Sequence, residues 1–111
     1  MKKRFAAHQI IISSECKFKQ YVVEMEGRLV SRIFPLTEEI AFTEWIGGII
    51  ILSPYNERMK LIQLPMDLKS VLMFFLTESM QEKEIGSQPF YAWHISSEEI
   101  STGIIHTIRQ L

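Results

Sequence analysis

The chain has 111 residues, 47% of them hydrophobic, with 12 basic and 13 acidic side chains and a formal net charge of −1. That length suits a single domain spanning residues 1–111, and that apolar content argues against wholesale disorder. The even charge balance lacks the basic excess of a nucleic-acid binder, so no nucleic-acid partner is expected.

Lys2-Lys3-Arg4 reads as a solvated basic tail rather than a secretory leader, because a polar break follows it. Phe5 to Ile12 is dense in apolar and β-branched residues and predicts a strand, closed by a turn at Ser13-Ser14-Glu15. Cys16 is the only cysteine, which excludes an internal disulfide and leaves the cytoplasm as the expected compartment. Gln20 to Met25 is the next strand. Glu26-Gly27 is a hairpin signal, since glycine takes the positive φ such turns need. Arg28 to Phe34 follows, and Pro35 ends it. Thr37 to Ile40 fits either a capped helical turn or an acidic loop. Glu44-Trp45-Ile46-Gly47-Gly48 leads into Ile49 to Leu52, whose two apolar faces suit a buried central strand. The glycine pair permits a bend or a close backbone approach.

Asn56 to Leu64 fits a strand or a turn of helix equally. From Pro65 the pattern becomes helical: Leu68, Val71, Leu72, Phe75 and Leu76 share one face, Asp67 charges the entrance, and Gly86 is the stop. A helix is expected over 66–84. Pro89 opens the C-terminal segment 89–111, read as a strand Phe90 to Ile95, a loop Ser96 to Glu99 and a second β-like run Ile104 to Ile108. The expected fold class is mainly β with one substantial helix, α+β.

The chemistry-bearing residues form no recognised constellation. His8, His94 and His106 all fall in predicted strands, with no His-x-His, Cys-x-x-Cys or His-Glu-x-x-His spacing. Glu38-Glu39 and Glu98-Glu99 are adjacent acids in expected loops, not two carboxylates in contrasting environments. Gly47-Gly48 precedes a strand instead of opening a phosphate-binding helix. No catalytic, cofactor or metal residue is assigned, and the chain is not expected to be an enzyme. The longest apolar runs, Ile49 to Leu52 and Val71 to Leu76, fall far short of a membrane span. Met66, Met73 and Phe74 lie off the main apolar face of the expected helix. They define a candidate self-association surface, and hence a homodimer, unless loops of the same chain cover them.

Three stretches together resemble the opening of amidohydrolase-superfamily enzymes. They are Arg4-Phe5-Ala6-Ala7-His8-Gln9-Ile10, the hairpin from Val22 to Val30, and Glu44-Trp45-Ile46-Gly47-Gly48-Ile49-Ile50-Ile51. Phe90-Tyr91-Ala92-Trp93-His94-Ile95 and the end of the chain resemble the returning strands of the same family. There, a small accessory β-sandwich is built from both chain ends around a metal-dependent (β/α)₈ barrel. The resemblance implies strands at 4–53 and 89–111, with the helix 66–84 in place of the barrel. It implies no metal ligands, because Leu52-Ser53-Pro54-Tyr55 stands where the His-x-His motif belongs. It also implies a β-sandwich-like domain that binds a partner or itself, such as a separately encoded protein. A small-ligand or cryptic enzymatic pocket between helix and sheet is the alternative.

Overall fold

The computed structural model describes residues 2–13, 16–37, 42–54, 62–75, 85 and 89–111. Three long antiparallel strands come first: β1 (Lys2–Ser13), β2 (Cys16–Glu26) and β3 (Leu29–Pro35). The β2–β3 hairpin turns on Gly27, at φ 64°, as its acid-glycine signal predicts. Lys2-Lys3-Arg4 is no free tail. It is the first part of β1, paired with Glu24 to Glu26 of β2.

The short β4 (Thr43–Trp45) and the wholly buried β5 (Ile49–Ser53) both run parallel to β1, one after the other. β4 takes the Arg4 to Ala6 half of β1, and β5 takes the Gln9 to Ile11 half. Between these halves the side-chain alternation of β1 changes phase. Phe5 and Ala7 share the first core cluster with Ile10 and Ile12, while Ile11 joins the second. β7 (Tyr91–Ile95) pairs antiparallel with β5, and β9 (Arg109–Gln110) pairs with β7. A C-terminal strand therefore joins the N-terminal sheet, whose order is β3-β2-β1-β5-β7-β9 with β4 on β1.

The sheet curls until β3 reaches the start of β7: the Val30 amide of β3 donates to the Phe90 carbonyl just before β7, at 2.9 Å. Curling gives two cores. Inside lie Ile10, Val23, Met25, Ile50, Leu52 and Phe90. Outside lie Ile11, Ile49, Ile51, Trp93 and Ile95, covered by Val71 and Ile105. The unbroken apolar run Ile49 to Leu52 is explained by this arrangement, because alternate residues enter different cores.

The outer layer differs in detail from the sequence expectation. Met66 and Asp67 are not helical; they form β6 (Met66–Asp67), paired with β8 (Ile104–Ile105). The helix α1 (Leu68–Phe75) begins one residue later, where the Asp67 carboxylate accepts from the Ser70 amide at 3.0 Å and the Ser70 hydroxyl at 2.6 Å. Ser96 to Glu99 is not a loop but the start of α2 (Ser97–Thr102), with Ser96 as N-cap and Gly103 as C-cap. The run Ile104 to Ile108 is divided: β8 ends at Ile105, and Ile108 packs in the outer core just before β9. The turn at Ser14-Glu15, the segment Glu38 to Ile40, Asn56 to Leu61, and the expected helix from Leu76 to Glu84 with its stop at Gly86 lie outside the described residues. Among the described residues no helix is long and apolar enough to cross a membrane.

Candidate functional site

The change of partner along β1 creates the most distinctive local geometry. To pass from β4 to β5, the chain bends at Gly47-Gly48, with φ 65° and 63°. A Cβ on Gly48 would collide with the Ile95 carbonyl oxygen, and one on Gly47 would press on the His8 ring at 3.3 Å. Side chains are excluded here by close backbone packing as well as by φ.

Two histidines distant in sequence bracket this bend. His8 Nδ1 accepts from the Gly48 amide at 2.9 Å, and the His8 ring meets Trp45 edge-on, with centroids 4.9 Å apart. His94 Nε2 lies 3.1 Å from the Gly47 carbonyl oxygen; a carbonyl only accepts, so Nε2 carries the proton. Burial pushes the pKa of half-buried His94 below 6.5, the Arg109 charge adds to this, and the hydrogen bond to Gly47 opposes it. Local spacing gave no sign that these histidines share a structural feature. Long-range pairing through β1, β5 and β7 brings them to it. His106 is exposed and stands apart, its amide donating to Glu99 Oε1 at 3.0 Å.

The bend also opens a groove. β4 pairs with β1 on one edge, and among the described residues its other edge has no strand partner. β9 is likewise an edge strand. Between them lie two clefts of about 510 and 520 Å³ that share Glu44 and Arg109. The first is lined by Lys2, Lys3, Arg4 and the 94% exposed Phe42. The second is lined by the half-exposed Trp45, His94, Ser96, Glu98 and Glu99. Charge is therefore divided along the groove, basic at the Phe42 end and acidic at the α2 end.

Side chains around the groove are held in place. Glu24 is 1% exposed, yet ionised. Its carboxylate accepts from Arg32 Nε and Arg4 Nε, both at 3.0 Å, and from the Ser31 hydroxyl at 3.0 Å, while Lys2 Nζ stands 3.8 Å away. Arg32, then Ser31 and Arg4, hold its pKa down at about 2 against the opposing effect of burial. Lys2, Arg4 and Arg32 thus converge on one carboxylate beside the first cleft. Glu99 accepts from the His106 and Thr107 amides, at 3.0 and 3.1 Å, and so fixes the approach to β9. Lys3 and Arg109 take part in no ion pair among the described residues.

The Ser96 hydroxyl beside His94 accepts from the Glu99 amide at 3.3 Å as a helix cap. Among the described residues, no three His, Cys, Asp or Glu side chains converge as a metal site. Met66, Met73 and Phe74 do not line the groove. Met73 is 65% exposed on α1, Phe74 is half-buried, and Met66 packs on the outer core from β6. The two clefts lie away from the contact between α1 and the sheet, where Leu68, Val71 and Leu72 are packed. No family model, curated protein or solved structure matches the chain.

Proposed function

We propose that this chain is a non-catalytic binding module that engages a protein partner through the groove between β4 and β9. The observation that carries this reading is the groove itself: two contiguous clefts bounded by edge strands and bearing two exposed aromatic residues, Phe42 and Trp45. Aromatic side chains are enriched at interfaces and are frequent anchors there. The chain is a counterpart of the accessory sandwich of amidohydrolase-superfamily enzymes, built from the segments 4–53 and 89–111. The pairing of β7 with β5 supports this, as does the short stretch between them, far below the roughly 250 residues of a (β/α)₈ barrel. The resemblance adds a class of partner, a separately encoded barrel enzyme of that superfamily.

Native mass spectrometry of the chain isolated from its own cells tests the reading. A partner is expected on the natural chain and on Met73→Ser, and is expected to be lost from Phe42→Ser/Trp45→Ser. Loss from Met73→Ser alone contradicts it.

Self-association through α1 is the second reading, favoured by the exposure of Met73. On that reading the chain is a two-fold dimer, and Met73→Glu yields a folded monomer in sedimentation equilibrium.

A further inference from the structure

The groove carries a more specific assignment, which rests on the binding-module reading. We infer that its occupant is an extended segment of a partner protein, added antiparallel to the free edge of β4, with basic residues toward its N-terminal end and acidic residues toward its C-terminal end.

Three observations support this. First, β4 is a three-residue strand that pairs only with β1 among the described residues, and it is exposed at Glu44 and Trp45. An unpaired edge offers main-chain donors and acceptors to any extended chain laid beside it, and proteins use such edges for strand addition. Second, the space beside that edge is present without rearrangement, as clefts of about 510 and 520 Å³ that share Glu44 and Arg109. Third, the charges are ordered along β4. Its N-terminal end lies in the cleft with Lys2, Lys3 and Arg4, and its C-terminal end leads into the cleft with Glu98 and Glu99. An antiparallel occupant places its C-terminal end over the basic cleft and its N-terminal end over the acidic one. A free carboxylate or an acidic side chain then meets Lys3, and an amine or a basic side chain meets Glu98, while Glu44 and Arg109 line both clefts and favour neither polarity. Reversed polarity sets like charges together at both ends. Phe42 and Trp45 flank the edge and supply apolar contact for alternate side chains.

At the basic end Lys2, Arg4 and Arg32 surround the Glu24 carboxylate, which helps to fix their positions. At the other end the Glu99 carboxylate is tied to backbone amides, which fix its position without cancelling its charge.

The test is titration of the full chain with the free pentapeptide Lys-Val-Thr-Val-Glu, its reverse Glu-Val-Thr-Val-Lys, and the first peptide N-methylated at both valines, followed by calorimetry. The forward peptide is expected to bind about tenfold tighter than the reverse one, and N-methylation is expected to remove binding. Lys3→Glu is expected to weaken the forward peptide about tenfold, and Glu98→Lys to narrow or invert the preference, with circular dichroism verifying both folds. Equal binding of forward and reverse peptides overturns the polarity and the proposal with it. Equal binding of the N-methylated peptide overturns strand addition in favour of a simple anion contact. A dimer of the natural chain that Lys3→Glu dissociates overturns it in favour of a second copy in the groove. If no peptide binds while the cellular partner is still lost from Phe42→Ser/Trp45→Ser, this inference fails and the binding-module reading stands.

Discussion

Glu24 shows how one buried charge can be held by its neighbours. Its folded pKa of about 2 lies below the ordinary 4.5, so the fold is stabilised above pH 4.5 and loses that contribution as pH falls toward 2. Glu24→Gln is expected to cost about 2 kcal/mol at pH 7, since its arginine partners are partly exposed and regain water. Urea unfolding at several pH values should show the gap between natural chain and variant shrinking between pH 4.5 and 2. His94 has the same sign in a different window. Its pKa is depressed, so its contribution is complete above pH 6.5 and falls away as the solution becomes more acidic. His94→Gln keeps a donor for the Gly47 carbonyl but cannot take up a proton, and its urea midpoint should lack that part of the decline below pH 6.5. Gly48→Ala combines a left-handed backbone with a collision against Ile95, and is expected to lose at least about 2 kcal/mol in the same assay.

At the scale of elements, legibility follows the range of the interactions involved. β2, β3, β5 and β7 are readable because strand alternation, the Glu26-Gly27 turn and the apolar run at Ile49 are local signals. β4 is not readable: three residues without alternation become a strand only because β1 supplies the partner. The Lys2-Lys3-Arg4 segment is misleading for a related reason, since Glu24, far along the chain, turns a basic tail into the end of a strand. α2 was within reach. Ser96-Ser97-Glu98-Glu99 has the Ser-x-x-Glu pattern of a capping box, and Gly103 closes the helix. Here Glu99 turns instead to the His106 and Thr107 amides. Ser96→Ala is therefore expected to cost about 1 kcal/mol, read from the thermal midpoint. The bend and the groove beside it were legible only in their parts. Trp45, Gly47, Gly48 and His94 stand out in the sequence, but what brings them together is the split pairing of β1 and the return of β7, both long-range.

For the molecule as a whole, the curled sheet separates two jobs. The inner core and the outer layer of α1, β6 and β8 hold the structure, while the junction between β4 and β5 leaves an opening that packing does not fill. The even charge balance of the chain conceals an uneven distribution, with Lys2, Lys3 and Arg4 lining one end of that opening and Glu98 and Glu99 the other. Binding at the groove should accordingly weaken as salt rises, whereas an interface built on Met73 should not. The most direct measurement is site-specific photo-crosslinking in cells, with a benzophenone side chain replacing Phe42, Met73 or the exposed Lys17 of β2 in separate experiments. The account predicts a discrete adduct with a partner protein from position 42 and none from 73 or 17. An adduct from position 73 with none from 42 would contradict it.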